Sequence, residues 1–138
     1  MPEFGPGSKS QRDTLHPLLQ KVVDEAIKAY DFKILQGTRE KDEQERLYRE
    51  RKTMVRWPNG KHNTVPSLAV DVAPYPIDWD SKHATKKFAY LAGLLAGIAH
   101  MQGTQLRWGG DWSGDGRMSD QQFHDLPHLE LLNAPDEE

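Results

Sequence analysis

The residues with the clearest capacity for chemistry lie in His124–Leu131, the run His-Asp-Leu-Pro-His-Leu-Glu-Leu. Asp125 and His128 stand three apart across Pro127, which forbids ordinary helix because it lacks a backbone donor and crowds the preceding turn. His128 then opens a short apolar run with Leu129 and Leu131, the pattern of a site on a loop that feeds a strand. A carboxylate beside an imidazole suits metal-activated hydrolysis: the imidazole binds a cation, and the carboxylate takes a proton from water. The chain has no Cys, so any further ligands must be His or carboxylate. The best upstream pair is His62 with Asp71, at the two ends of His-Asn-Thr-Val-Pro-Ser-Leu-Ala-Val-Asp. Together these residues predict a zinc site of His62, Asp71 and His128, with Asp125 as the base.

Several elements must bring these groups together. Leu15, Leu18, Leu19, Val22, Val23, Ala26 and Ile27 recur at three and four, which predicts an amphipathic helix from Thr14 to near Tyr30. Phe32 to Gln36 is β-prone and closed by Gly37, a strand that delivers Gln36, Thr38 and Arg39 to its end. A highly charged helix is expected from about Glu40 to Lys52, anchored by Leu47 and Tyr48. Met54 to Ser67 holds two Pro, two Asn and a Gly, a loop that carries His62. From Leu68 to Ala73 the residues alternate, with Leu68, Val70 and Val72 on one face and Ala69, Asp71 and Ala73 on the other. The acid thus emerges between two small side chains, with room for an ion. Lys82 to about Gln102 reads as a core helix in which Gly93 and Gly97 would permit close backbone approach. Gln105 to Trp108 and His128 to Leu132 are the remaining strands.

At 138 residues the chain suits one domain with a proper core. A hydrophobic fraction of 36% with 28% charged residues fits a globular protein, and no stretch is long enough to span a bilayer. A net charge of −3 offers no basic footprint for nucleic acid or anionic lipid. Residues 1–10, rich in Pro and Gly without an apolar core, read as a disordered leader or cloning scar rather than a signal peptide. The expected domain is 11–134, with 135–138 as an acidic tail.

Asp111, Ser113, Asp115, Gly116 and Ser119 occupy positions one, three, five, six and nine of an EF-hand-like register. Asp111, Ser113 and Asp115 are therefore candidate Ca²⁺ ligands. Gln122 stands where a bidentate Glu belongs, so the other reading is a glycine-rich acidic turn. Trp108 and Trp112 suit either the core or a cleft wall. His16, His83 and His100 fall in helical segments and read as ordinary helix residues, while His124 lines the cleft or an exposed loop.

Four motifs, Gln36-Gly37-Thr38-Arg39, His62 with Asp71-Val-Ala-Pro-Tyr, Trp108-Gly-Gly-Asp-Trp112 and Asp125-Leu-Pro-His128-Leu-Glu130, occur in the order of a known family. They resemble the VanY-like D-alanyl-D-alanine carboxypeptidase superfamily, and most of all its phage endolysins that are L-alanyl-D-glutamate endopeptidases. The resemblance implies an α+β domain of hedgehog/VanY type, a short antiparallel sheet flanked by helices with zinc at one edge. It implies His62, Asp71 and His128 as zinc ligands, Asp125 as the catalytic carboxylate and Arg39 as the cation that stabilises an oxyanion or a substrate carboxylate. Glu130, Gln36 and Trp112 are candidates for substrate contact or for orienting the ligands. Eight residues separate His62 from Asp71, against about six in many relatives, and a loop takes up such an insertion at small entropic cost. The implied partner is the peptidoglycan stem peptide, met by a monomer that waits in the host cytoplasm for holin-dependent release. A D-alanyl-D-alanine carboxypeptidase would use the same site, and a non-catalytic zinc-containing wall-binding module would keep the fold.

Overall fold

Pro17 decides where the first long helix starts. A residue before proline is pushed out of the helical region, and His16 is accordingly extended at φ −55°, ψ 142°, its Nδ1 accepting from Leu18 N–H at 3.1 Å. The helix runs Pro17–Ala26 (α2) instead of beginning at Thr14, and Leu15 forms a bridge with Ser67. The computed structural model of the chain describes residues 2–79, 83–111 and 125–132. Together they form one α+β domain, the class expected.

The leader is not separate from this domain. Pro6–Arg12 is a helix, α1, which starts on Gly5 with Pro6 in its first turn, where a missing N–H costs nothing. The Pro and Gly that suggest disorder therefore mark a helix start. Ser8 Oγ accepts from Ile34 N–H at 3.1 Å, and Phe4 packs edge-on against Phe32 with ring centroids 5.4 Å apart.

Strands β1 (Phe32–Gln36), β2 (Ala69–Pro74), β3 (Leu106–Gly109) and β4 (Asp125–Leu131) make one antiparallel sheet in the order β1-β2-β4-β3. Phe32, Ile34, Val70, Val72, Leu129 and Leu131 belong to the core with Leu19, Val22 and Val23 of α2 and Leu91 and Leu95 of α4 (Ala84–Met101). Burial of each such side chain contributes roughly 1.5–3 kcal/mol, and a one-residue slip would turn the whole set outward. The apolar face thus sets the register, and Asp71, His128 and Glu130 are held on the opposite face.

Two irregularities adjust that opposite face. Ile34 pairs with Val72 while Gln36 pairs with Asp71, so β1 carries one extra residue and Gln36 is transferred to the side of Asp71. On β4, Trp108 pairs with Leu129 while Gly109 pairs with Asp125. Asp125 and Pro127 lie inside the last strand, which begins before His128. Pro127, which cannot donate to a ladder, is accommodated in this bulged segment. Helix α3 is Lys41–Arg49, and its buried residue is Gln44 at 1% exposure, whereas Tyr48 is exposed. An added Cβ at Gly93 or Gly97 would meet nothing within 4 Å, so the expected close approach is absent there.

Candidate metal centre

Four segments meet on the polar face: the end of β1, the short 3₁₀ turn Lys61–Asn63, the middle of β2 and the first half of β4. The cross-strand pair Asp71 and His128 places a carboxylate beside an imidazole. The 3₁₀ turn brings in His62, and Arg39 N–H donates to His62 O at 2.6 Å, which ties the turn to the end of β1. Gly37 is required here: a Cβ on it would come 2.0 Å from Thr14 Oγ1 and 2.7 Å from Gln11 O.

Each imidazole is committed in orientation. His62 Nδ1–H donates to Gly37 O at 2.7 Å, and His128 Nε2–H donates to Glu130 Oε1 at 2.8 Å. Holding one ring nitrogen on a fixed oxygen turns the other towards the centre. The result is a triangle of donors, with His62 Nε2 to Asp71 Oδ1 at 3.0 Å, His62 Nε2 to His128 Nδ1 at 3.2 Å and His128 Nδ1 to Asp71 Oδ1 at 3.2 Å. A tetrahedral ion with bonds of roughly 2.0–2.1 Å needs donors roughly 3.3–3.4 Å apart. The triangle therefore fits one face of a zinc tetrahedron after a small outward adjustment. Two imidazoles and one carboxylate are also a donor set that zinc takes, with a fourth position left for water. Among the described residues these three are the cluster able to hold a metal.

The electrostatics follow from burial and pairing. Burial alone would raise the carboxyl of Asp71, yet His62 and His128 reverse this and hold it well below the usual carboxylate range. Burial would lower the imidazole of His128, but its hydrogen bonds to Asp71 and Glu130 raise it to about 9. A cation can bind Nδ1 only once that proton has left. Glu130 resists burial through His128, Arg107 and Lys61, which bring it to about 2, and Arg107 donates to it at 2.8 Å. Asp125 lies on the same cavity wall as the triad but outside it, and burial, then the charge of Asp71, push it up to about 6.

Arg39 is buried beside Asp71, its NH2 3.4 Å from Asp71 Oδ2, and its Nε donates to Gln36 Oε1 at 2.9 Å. The structure thus brings His62, Asp71, His128, Arg39, Gln36, Asp125 and Glu130 to one cavity of about 750 Å³. Trp112, Ser113, Asp115 and His124 lie outside the described residues. Asp111 forms a bridge with Trp108, and Trp108 packs against the core while its indole donates to Leu126 O at 2.7 Å. His16 caps α2, His83 occupies the N-cap position of α4 without a side-chain capping bond, and His100 lies in the last turn of α4. Sequence reasoning missed Gln44 and Asn63, both buried behind Arg39, and the contacts of Lys61 and Arg107 with Glu130. The available signal was Gln44 lying three residues before Leu47, on the same side of the helix.

A profile of phage L-alanyl-D-glutamate peptidases matches residues 2–132 of the chain. The L-alanyl-D-glutamate peptidase of Escherichia phage T5 is 33% identical over 141 residues, spanning 94% of this chain and 98% of that protein. The crystal structure of the Serratia marcescens L-Ala D-Glu endopeptidase ChiX has the same fold, with a TM-score of 0.73 at 22% identity over 94% of this chain and 90% of its own.

Proposed function

The chain belongs to the phage L-alanyl-D-glutamate peptidase family, and on that premise we propose that it is a zinc-dependent endopeptidase that hydrolyses the L-alanyl-D-glutamate bond of peptidoglycan stem peptides. The observation that carries the zinc reading is the triangle of His62 Nε2, Asp71 Oδ1 and His128 Nδ1, with both rings fixed by hydrogen bonds on their far side. Zinc bound there would act as a Lewis acid and make water acidic enough to be deprotonated near neutral pH.

The protein's own groups divide the remaining work. Asp125 takes the proton of the attacking water and returns it to the departing amine of the D-glutamate residue. The guanidinium of Arg39 stabilises the negative charge that builds on the carbonyl oxygen. Glu130 keeps His128 in the tautomer that presents Nδ1. Lys61 and Arg107, which also line the cavity, favour an anionic stem over a neutral peptide. The same reading has a monomer act on the wall after holin-dependent release from the host cytoplasm. Among the described residues no helix is long and apolar enough to cross a membrane.

A base must be ionised to accept a proton. Since Asp125 is pushed up to about 6, its carboxylate becomes the majority form only above that pH. A bound dication draws that value down, so with zinc saturating kcat/KM should climb by up to about tenfold per pH unit on the acid side and reach its plateau at or below roughly pH 6. An acid limb that is unchanged in Asp125→Asn would remove Asp125 from this role.

The reaction itself is tested by mass spectrometry of the fragments released from purified peptidoglycan. New D-glutamate amino termini should form, vanish with a chelator and return with zinc. Release of terminal D-alanine alone would reassign the enzyme as a carboxypeptidase, and no fragments from zinc-loaded, folded protein would point to a wall-binding module.

A further inference from the structure

Gln44 is the buried residue of α3, at 1% exposure in a helix that also carries Lys41, Asp42, Glu43, Glu45, Arg46 and Arg49. Its Oε1 accepts from Arg39 NH1 at 3.0 Å and from Asn63 Nδ2 at 3.2 Å. Its Nε2 donates to Val55 O, so the amide is fixed in one orientation with the oxygen towards Arg39. Asn63 Nδ2 also donates to Arg39 O at 3.1 Å, and Gly60 N–H donates to Asn63 Oδ1 at 2.9 Å. One side chain thus joins α3, the loop that precedes the His62 turn, and Arg39.

The chemistry of the acceptors matters as much as their number. Arg39 directs Nε at Gln36, NH1 at Gln44 and NH2 at Asp71, and only the last of these is charged. A carboxylate at position 44 would hold the guanidinium more tightly, since charge-assisted hydrogen bonds are about twice as strong as neutral ones. It would also cancel the charge in a site where burial magnifies electrostatics. An amide fixes direction and leaves the charge.

We infer that Gln44 is a positioning residue for Arg39, its buried amide aiming the guanidinium at the metal centre without adding a second negative charge to that of Asp71, so that the guanidinium can still meet the reacting carbonyl oxygen. This rests on the reading of Arg39 proposed above, so cleavage of a synthetic L-alanyl-γ-D-glutamyl tripeptide by the zinc-loaded wild-type chain comes first. No cleavage would overturn that reading and the inference with it.

Given cleavage, Gln44→Glu keeps the size and the acceptor towards Arg39, but it adds a charge and gives up the donor to Val55 O. Its kcat should fall about 10- to 100-fold, short of the roughly 10²- to 10³-fold loss that follows removal of such a donor outright. KM should stay within about threefold, the zinc content should equal that of wild type, and Tm should fall by no more than the lost bond to Val55 O accounts for. Gln44→Met, which removes the acceptor without adding charge, should lower kcat less and Tm more. If the buried carboxylate prevents folding, Gln44→Met decides by the same split between kcat and KM. Full kcat in the folded variants, a loss confined to KM, or a loss that tracks missing zinc would each overturn the inference.

Discussion

Asp125→Ala should yield a folded protein that still binds zinc and hydrolyses its substrate about 10²- to 10⁴-fold more slowly, the range for losing a positioned acid–base group. Asp125 is not one of the three donors that meet at the centre, so the metal content of the purified variant should match wild type. The loss should sit in kcat, because the proton is transferred in the chemical step and not on binding. Unchanged activity would exclude Asp125 from the mechanism, and loss of zinc would make it a ligand. Stability adds an independent sign. Burial raises the carboxyl of Asp125 from 3.8 to about 6, so the folded state holds that proton more tightly than the unfolded chain does. The folded state is therefore penalised as pH rises from 3.8, and carries the full penalty above about 6, of the order of 2–3 kcal/mol. Asp125→Asn should raise the Tm of the metal-free protein at neutral pH and leave it unaltered below about pH 4.

His128→Ala should fail in a different way, by losing the metal. It removes one corner of the donor triangle and leaves His62 and Asp71 with too few ligands for a closed face. Elemental analysis should find the variant depleted of zinc, with activity lower by at least about 10³-fold, since several kcal/mol of charge stabilisation goes with the ion. The fold should survive, because Glu130 retains Arg107 at 2.8 Å and Lys61 at 3.3 Å. Thermal unfolding separates this from a general defect. Zinc at about a hundred times its Kd should stabilise the wild type by about 2.7 kcal/mol, roughly 10 °C, and should shift the variant little. A variant that binds zinc as wild type does would show His128 is not a ligand.

The parts of the molecule legible in the sequence are those where local pattern and burial agree. Phe32–Gln36 and the alternation around Asp71 read directly, since one face of each strand is filled with apolar side chains. The residue types of the candidate ligands follow from a chain without Cys, which leaves only His and carboxylate. What did not read depended on distant partners. Pro6–Arg12 has the composition of a linker, and it is ordered by contacts of Ser8 and Phe4 with β1, which lies some twenty-five residues on. Proline at 127 argues against a central strand until the bulge opposite Gly109 is seen. The shift that turns Gln36 to the polar face is a property of its pairing with β2 and has no local mark. Gln44 looked like one more solvated residue of a charged helix, and it is buried because a turn some nineteen residues away closes over it.

Strand β4 lies between β2 and β3, yet among the described elements it comes last in the chain. It bears Asp125, His128 and Glu130, and His128 meets His62 across 66 positions. During translation, β2 and β3 are therefore made without the strand that joins them, and His62 and Asp71 wait without a third donor. Contacts so distant in sequence form late and slowly. A nascent chain, or a fragment from premature termination anywhere before β4, lacks the strand between β2 and β3 and with it Asp125, His128 and Glu130 of the candidate site. On the reading proposed above, the polypeptide would stay inert until β4 pairs between β2 and β3, so completion of the sheet would itself switch the site on.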